Sequence, residues 1–408
     1  MICKSKMKKH TIYTLFTVLT LVLSLLPGIT FSQSGASENP IISYKGQLSG
    51  VANIGTASSI TLGGRYIPQF NFEAGDKFTG KNNLRYEFEA AANIYSNAEF
   101  FRKGEMSRWD GDIKLYRGWG KIATNRSELR VGLQKINFGS ATILRPLMWF
   151  DSMDSRDPLQ LTDGVWGGLG RYFFADNSNL WLWVLYGNNK SRGFDIGITS
   201  QKSPEYGGRF QKALPSGEAA LTFHHRKADL LPSSTEFRLL PELNGIPENR
   251  LGLDAKFDVT IGLWVEASWV NKSQDLGMFT NQHMVNIGAD YTFGIGNGLN
   301  LIFEHLIISF DREAFKFSNR ANISALSANY PLSMSDNLNI ILYYDWENGG
   351  LYNFANWRHN IKNFSFHVMG YVNPMNNDIP LVSTGTSLYS GNGIQFMLVY
   401  THKHSTKR

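Results

Sequence analysis

Between residues 41 and 401 the chain returns repeatedly to strict alternation of apolar and polar side chains. The run Val285-Asn286-Ile287-Gly288-Ala289-Asp290-Tyr291-Thr292-Phe293 is one clear case. Side chains alternate across a strand, so one face of this segment seeks hydrocarbon and the other seeks water. The same dyad sets Leu84, Tyr86, Phe88, Ala90, Ala92 and Ile94 against Arg85, Glu87, Glu89 and Asn93. It sets Leu251, Leu253, Ala255 and Phe257 against Arg250, Asp254 and Lys256. Further strands are expected at Ile261 to Trp269 and Leu338 to Trp346, and Leu129, Val131 and Leu133 oppose Arg130 and Gln134. Alternation and turn residues together predict about eighteen strands, with sixteen the nearest rival. Two stretches, residues 180–186 and 299–310, are apolar on both faces, Glu304 being the main polar mark in the second. Such strands press against an inserted loop or a neighbour. The pairing of residues 352–363 is left open.

The links alternate in length. The third (98–109), fifth (138–163), seventh (187–204), ninth (228–247) and seventeenth (373–392) read as long; the fourth (123–126), sixth (175–178), eighth (215–217) and tenth, near Asp258, read as short. The first two break this rule mildly. An even strand count with links long at one rim and tight at the other describes an all-β, antiparallel, up-and-down barrel spanning a membrane. Both termini then lie at the tight-turn rim, which in bacterial outer membranes faces the periplasm.

The N-terminus supports export. Lys4, Lys6, Lys8 and Lys9 precede an apolar run over 11–26, broken by Pro27-Gly28 and followed by small residues at 32–36. This is the layout of a secretory leader, residues 1–36 with cleavage near 32–36, ahead of one mature domain over 37–408. Cys3 precedes the apolar run and is not placed as a lipoprotein cysteine. It is the only cysteine, so a mature chain has none. That excludes disulfides, thiol catalysis and cysteine-based zinc. No later apolar run reaches the roughly 18 residues of a spanning helix, so a membrane location requires strands.

Charge adds little. Four of the 40 basic residues lie in the leader, which leaves 36 against 34 acidic residues and a balance near +2. No nucleic-acid footprint results. The aromatic content of 13% suits girdles at two membrane interfaces.

The segment Leu129-Arg130-Val131-Gly132-Leu133-Gln134-Lys135-Ile136-Asn137-Phe138-Gly139 resembles the "LRVGRQ-x-x-x-x-G" strand of porin-like outer-membrane families, among them phosphate-selective-type porins and alginate-export-type barrels. A long loop rich in Arg, Asp and Pro follows, then Asp163-Gly164-Val165, as in those families. Leu133 stands where Arg is usual. The resemblance covers about forty residues. It implies a channel for passive diffusion of small polar solutes and names no solute. In general porins the third outside loop, here 138–163, folds into the lumen and narrows it. Acidic side chains there face basic ones on the wall, and a narrow, low-dielectric opening strengthens the field between them. The expected constriction and lumen charges are Lys114 and Arg130 on the wall with Arg145, Asp151, Asp154, Arg156, Asp157 and Asp163 on the loop. The alternative is a surface loop with solvated charges.

Asp151, Asp154 and Asp157 are spaced by three and followed by Asp163, but this is not the EF-hand spacing and Arg156 sits among them. No metal and no cofactor is expected. His305 shares a face with Leu301, Phe303 and Ile307, with Ser309 beyond it, which leaves a lipid-face hydrolase as a second reading. A secreted, soluble, glycan-binding β protein is a third. His224-His225 reads as a solvated rim pair. Trp181, Trp183 and Trp264 read as interfacial belt residues, with an inward aromatic track as the alternative. Neither Gly-x-Ser-x-Gly nor His-Glu-x-x-His occurs. The last strand, Ile394 to Tyr400, ends on an aromatic like the closing strands that outer-membrane assembly machinery recognises, and a basic tail, 401–408, follows. The partners expected are outer-membrane lipids, that machinery and small polar solutes, not nucleic acid. Homotrimers are common among porins, but no patch in the sequence assigns a subunit contact.

Overall fold

The computed structural model describes residues 41–56, 59–75, 84–101, 106–230, 243–374, 389 and 391–406. The expected leader lies outside them, as does most of the seventeenth link. The strands are Ile41–Gly55 (β1), Ser59–Gly75 (β2), Arg85–Phe101 (β3), Met106–Ala123 (β4), Ser127–Gln134 (β5), Val165–Phe173 (β6), Asn179–Leu185 (β7), Ile198–Thr199 (β8), Glu205–Leu214 (β9) and Gly217–Leu230 (β10). They continue with Leu243–Asp258 (β11), Gly262–Lys272 (β12), Asn281–Phe293 (β13), Leu299–Asp311 (β14), Asn319–Pro331 (β15), Asp336–Asp345 (β16), Gly350–Ile361 (β17), Phe364–Val372 (β18) and Asn392–Ser405 (β19). All but the two-residue β8, which pairs with the end of β10, form one antiparallel ring of 18 strands closed by β1 against β19. No helix among the described residues is long and apolar enough to cross a membrane.

The dyad closes the ring in the expected sense. On β13 Ile287 is 54% exposed while its neighbour Asn286 is fully buried; on β11 Leu253 is 50% exposed and Asp254 is 1%. The apolar ladder therefore faces outward and the polar ladder inward on every such strand. An even count brings Ile41 and Ser405 to the same rim, where β1 and β19 pair. Tight links at that rim include 124–126, 215–216, 259–261 and 362–363, while 135–164 and 186–204 sit at the other.

Two expectations about the strands change, and the pairing left open is settled. The third link is short, because β3 and β4 keep pairing out to Phe100 and Met106. The basic tail is part of β19, because Lys403 and His404 stay in register with Lys45 and Tyr44. Residues 350–361 form β17, which pairs with β16 and β18. Gly132, the glycine of the 129–139 motif, sits at φ +126°, where a Cβ would come 2.1 Å from the Gly118 carbonyl oxygen. Only glycine fits there, where β4 and β5 crowd together just past a bulge in β4.

Candidate functional site

Residues 135–164 leave β5 and turn into the ring. Ile136, Leu144, Leu147, Trp149 and Phe150 are each no more than 3% exposed. Phe138, Trp149 and Phe150 pack against Leu169, Trp183 and Leu185 of the wall. Leu144 packs among Met284, Leu306, Ile308 and Ile341. The two stretches that read as apolar on both faces therefore have a physical reason: their inner faces receive this loop.

Polar anchors fix its path. Glu304 on β14 accepts from the backbone N–H of Thr142 (2.7 Å), Ile143 (3.2 Å) and Leu144 (2.5 Å), and from the Thr142 hydroxyl (3.0 Å). Glu266 on β12 accepts from the Ala141 and Leu147 N–H groups at 2.9 and 2.6 Å. Trp149 Nε1 donates to Ser268 Oγ at 3.2 Å. Gly139, at φ +101°, passes so close to Glu266 that a Cβ would meet its carboxylate at 2.5 Å. Carboxylates gripped by several backbone donors make strong, directional tethers.

The loop charges are arranged differently from a row facing the wall. Asp151 takes a bidentate pair from Arg145 (2.8 and 3.1 Å), and Arg145 also donates to Asn137. Asp154 is paired with Arg156 (2.7 Å). Asp157 accepts from the Leu159 and Leu161 N–H groups, both at 3.0 Å. These acids brace the loop itself, and each goes to its own partner. Asp163 alone crosses to the wall, where Lys114 lies 2.9 Å away and Lys190 takes its other oxygen. Burial pushes the Asp163 carboxyl up, but the bonds from Lys190 and Lys114 outweigh it and hold it below its ordinary range. Arg130 does not meet a loop acid; its guanidinium stacks on Trp119 at 4.5 Å. Arg117, which the sequence reading missed, donates to the Thr162 carbonyl at 2.9 Å.

A second inward element was also missed. In the 186–204 link, Asp195 accepts from Arg226 and Arg250, both at 2.7 Å. Glu248 accepts from both arginines at 2.5 and 2.6 Å, and Lys272 is 3.5 Å from it. Arg226, Glu248, Arg250 and Lys272 are all within 2% of full burial. The signal was present in the sequence, as charges on the inner ladder of adjacent strands.

His224 is not a solvated rim residue. It is 1% exposed and faces inward, accepting from Trp183 Nε1 (3.2 Å) and lying 3.4 Å from Glu205. Trp183 and Trp264 are 2% and 5% exposed and face inward, and Trp181 lies under Arg171 on the same ladder at 3.7 Å. None of the three belongs to the belt. His305 bonds Ser324 (2.9 Å), which Trp346 Nε1 also reaches at 2.9 Å, while Ser309 is fully buried opposite His283. The expected His305–Ser309 arrangement does not form.

The loop's polar ties run to β4 and to β11–β14; β2 and β3 receive none of them. From β1 to β5, Lys45, Arg65 and Arg130 lie on the inner ladder without an ion pair among the described residues, and so do the acids Glu73 and Glu89.

No family model matches the chain, and no curated protein matches it. Solved structures do. OccAB4 of Acinetobacter baumannii aligns with a TM-score of 0.54 at 10% identity, covering 91% of this chain and 99% of that one. OccK7 (OpdD) of Pseudomonas aeruginosa aligns at 0.56 and 10% identity, covering 90% and 100%. The outer membrane protein OprD of Pseudomonas aeruginosa aligns at 0.54 and 10%, covering 90% and 94%. The chain has the fold of an outer-membrane barrel. That bears out the porin-like architecture expected from the 129–139 segment.

Proposed function

We propose that this protein is a porin, an outer-membrane channel through which small polar solutes diffuse passively along a lumen narrowed by residues 138–163. The observation that carries the reading is the grip of Glu304 on the loop backbone, which holds an apolar-cored segment across the inside of the ring. On this reading residues 1–36 are an export signal that is removed, and residues 37–408 form the barrel. The termini face the periplasm, so the 135–164 and 186–204 links enter from outside. The loop edge sets the size limit. Lys114 and Asp163 mark the point where loop and wall meet, while Arg145–Asp151, Arg156–Asp154 and Asp157 keep the loop in shape. Lys45, Arg65 and Arg130 share the open arc with Glu73 and Glu89, so charges of both signs line the path and orient polar solutes. Purified protein in planar bilayers is expected to give stable stepwise currents. Absence of steps from folded protein would sink the channel reading.

A further inference from the structure

The wall is not of even height. β3 and β4 have 17 and 18 residues, whereas β5, β6 and β7 have 8, 9 and 7. β4 pairs with β5 only from Gly118 to Ala123, so from Met106 to Tyr116 its outer edge has no neighbouring strand. In an antiparallel ladder alternate residues turn their N–H and C=O groups to each side, so this edge presents a row of peptide groups to the space where β5 has ended. Unsatisfied peptide groups are not tolerated in hydrocarbon, which places this notch at the headgroup level. A cavity of about 340 Å³ fills the notch. Its lining includes the apolar Leu115, Leu133 and Trp166 and the charged Lys114, Asp163 and Lys190. Leu133 continues the ladder of Leu129 and Val131 but is itself only 6% exposed, whereas Leu129, Val131 and the neighbouring Trp166 are 52%, 56% and 42% exposed. The two lysines share the single carboxylate of Asp163, so these three groups have one positive charge in excess.

We infer that this lateral notch binds a lipid of the surrounding leaflet through a phosphate headgroup, with its tail over Trp166. A phosphate monoester brings more negative charge and more acceptor oxygens than Asp163 alone, so it competes for both ammonium groups, while the free edge of β4 adds backbone donors. Trp166, 42% exposed, carries the apolar lining of the cavity out to the lipid-facing surface, and that continuity selects a lipid over a soluble phosphate. The site does not depend on what passes along the lumen, and its test reads no current.

The test is native mass spectrometry of the mature barrel in detergent with dioleoyl phosphatidic acid, dioleoyl phosphatidylcholine and inorganic phosphate. Phosphatidic acid is expected to stay bound in preference to phosphatidylcholine and to resist inorganic phosphate. Its retention should fall roughly tenfold in K114A/K190A and recover in K114R/K190R, as loss of charge-assisted bonds requires. Equal retention of both lipids would reduce the site to annular lipid and overturn the proposal. Displacement by inorganic phosphate, or unchanged retention in the double alanine variant, would do the same. Should that variant fail to fold, Asp163→Asn decides: freeing both lysines should raise phosphatidic acid retention, and unchanged or lower retention refutes the site.

Discussion

Glu304 has no partner of opposite charge among the described residues; backbone N–H groups of residues 142–144 hold it. Glu304→Ala would leave those donors unpaired at a cost of about 1–3 kcal/mol each. The strand ladder does not need this side chain, so the barrel should still form while the loop detaches. The expected outcome is larger single-channel conductance and new protease cleavage within 138–163; unchanged conductance would show that the loop does not narrow the path. Asp163 gives a pH dependence. Its carboxyl is held below the ordinary range in the fold, so its contribution to loop–wall docking is complete above the unfolded value of roughly 4 and is lost as pH falls through the depressed folded value. The share of ion selectivity that Asp163 carries should thus be constant from pH 7 to 5 and be lost only in stronger acid, and D163N should remove that acid-range change. A transition near neutrality would assign the control to another group.

Among the elements, the 186–204 link is held by charge. Asp195→Asn would leave Arg226 and Arg250 to share Glu248 alone. Breaking one partner of a buried pair costs about 3–5 kcal/mol, so thermal unfolding should begin earlier, with the link losing amide-exchange protection before the strands do. The strands were readable because their side-chain period is two and each face meets one solvent. The inward turn of 138–163 was half-readable, since residues 180–186 and 299–310 had no wettable face to offer a water-filled lumen. What covered them, and through which anchors, was not readable: Glu304 meets residues 142–144 about 160 positions away. Trp183 was misplaced because tryptophan suits an interface and a packed interior equally, and alternation within a doubly apolar strand cannot distinguish them; Trp264 shares its face with Glu266 and Ser268, so its inward side was legible and was passed over. The charge network failed to stand out because Arg226, Glu248 and Arg250 looked like ordinary wettable positions until the register joined them.

The whole molecule stands on closure. β19 pairs with both β18 and β1, so deleting 392–405 would expose two strand edges. Each orphaned peptide group in hydrocarbon costs several kcal/mol, so no partly closed product is expected. Unheated electrophoresis should show complete loss of the compact folded band, and a stable truncated barrel would contradict the ring. Around the closed circle the labour is divided unevenly. The arc from β4 through β14 clamps the inserted segments, whereas β2 and β3 take none of those ties. On the channel reading proposed above, substitutions on β2 and β3 would change which molecules are admitted without loosening the ties that hold the inserted segments, so a lineage meeting a new solute would rewrite a few inward positions there and leave the rest of the circumference to drift within the bounds of stability.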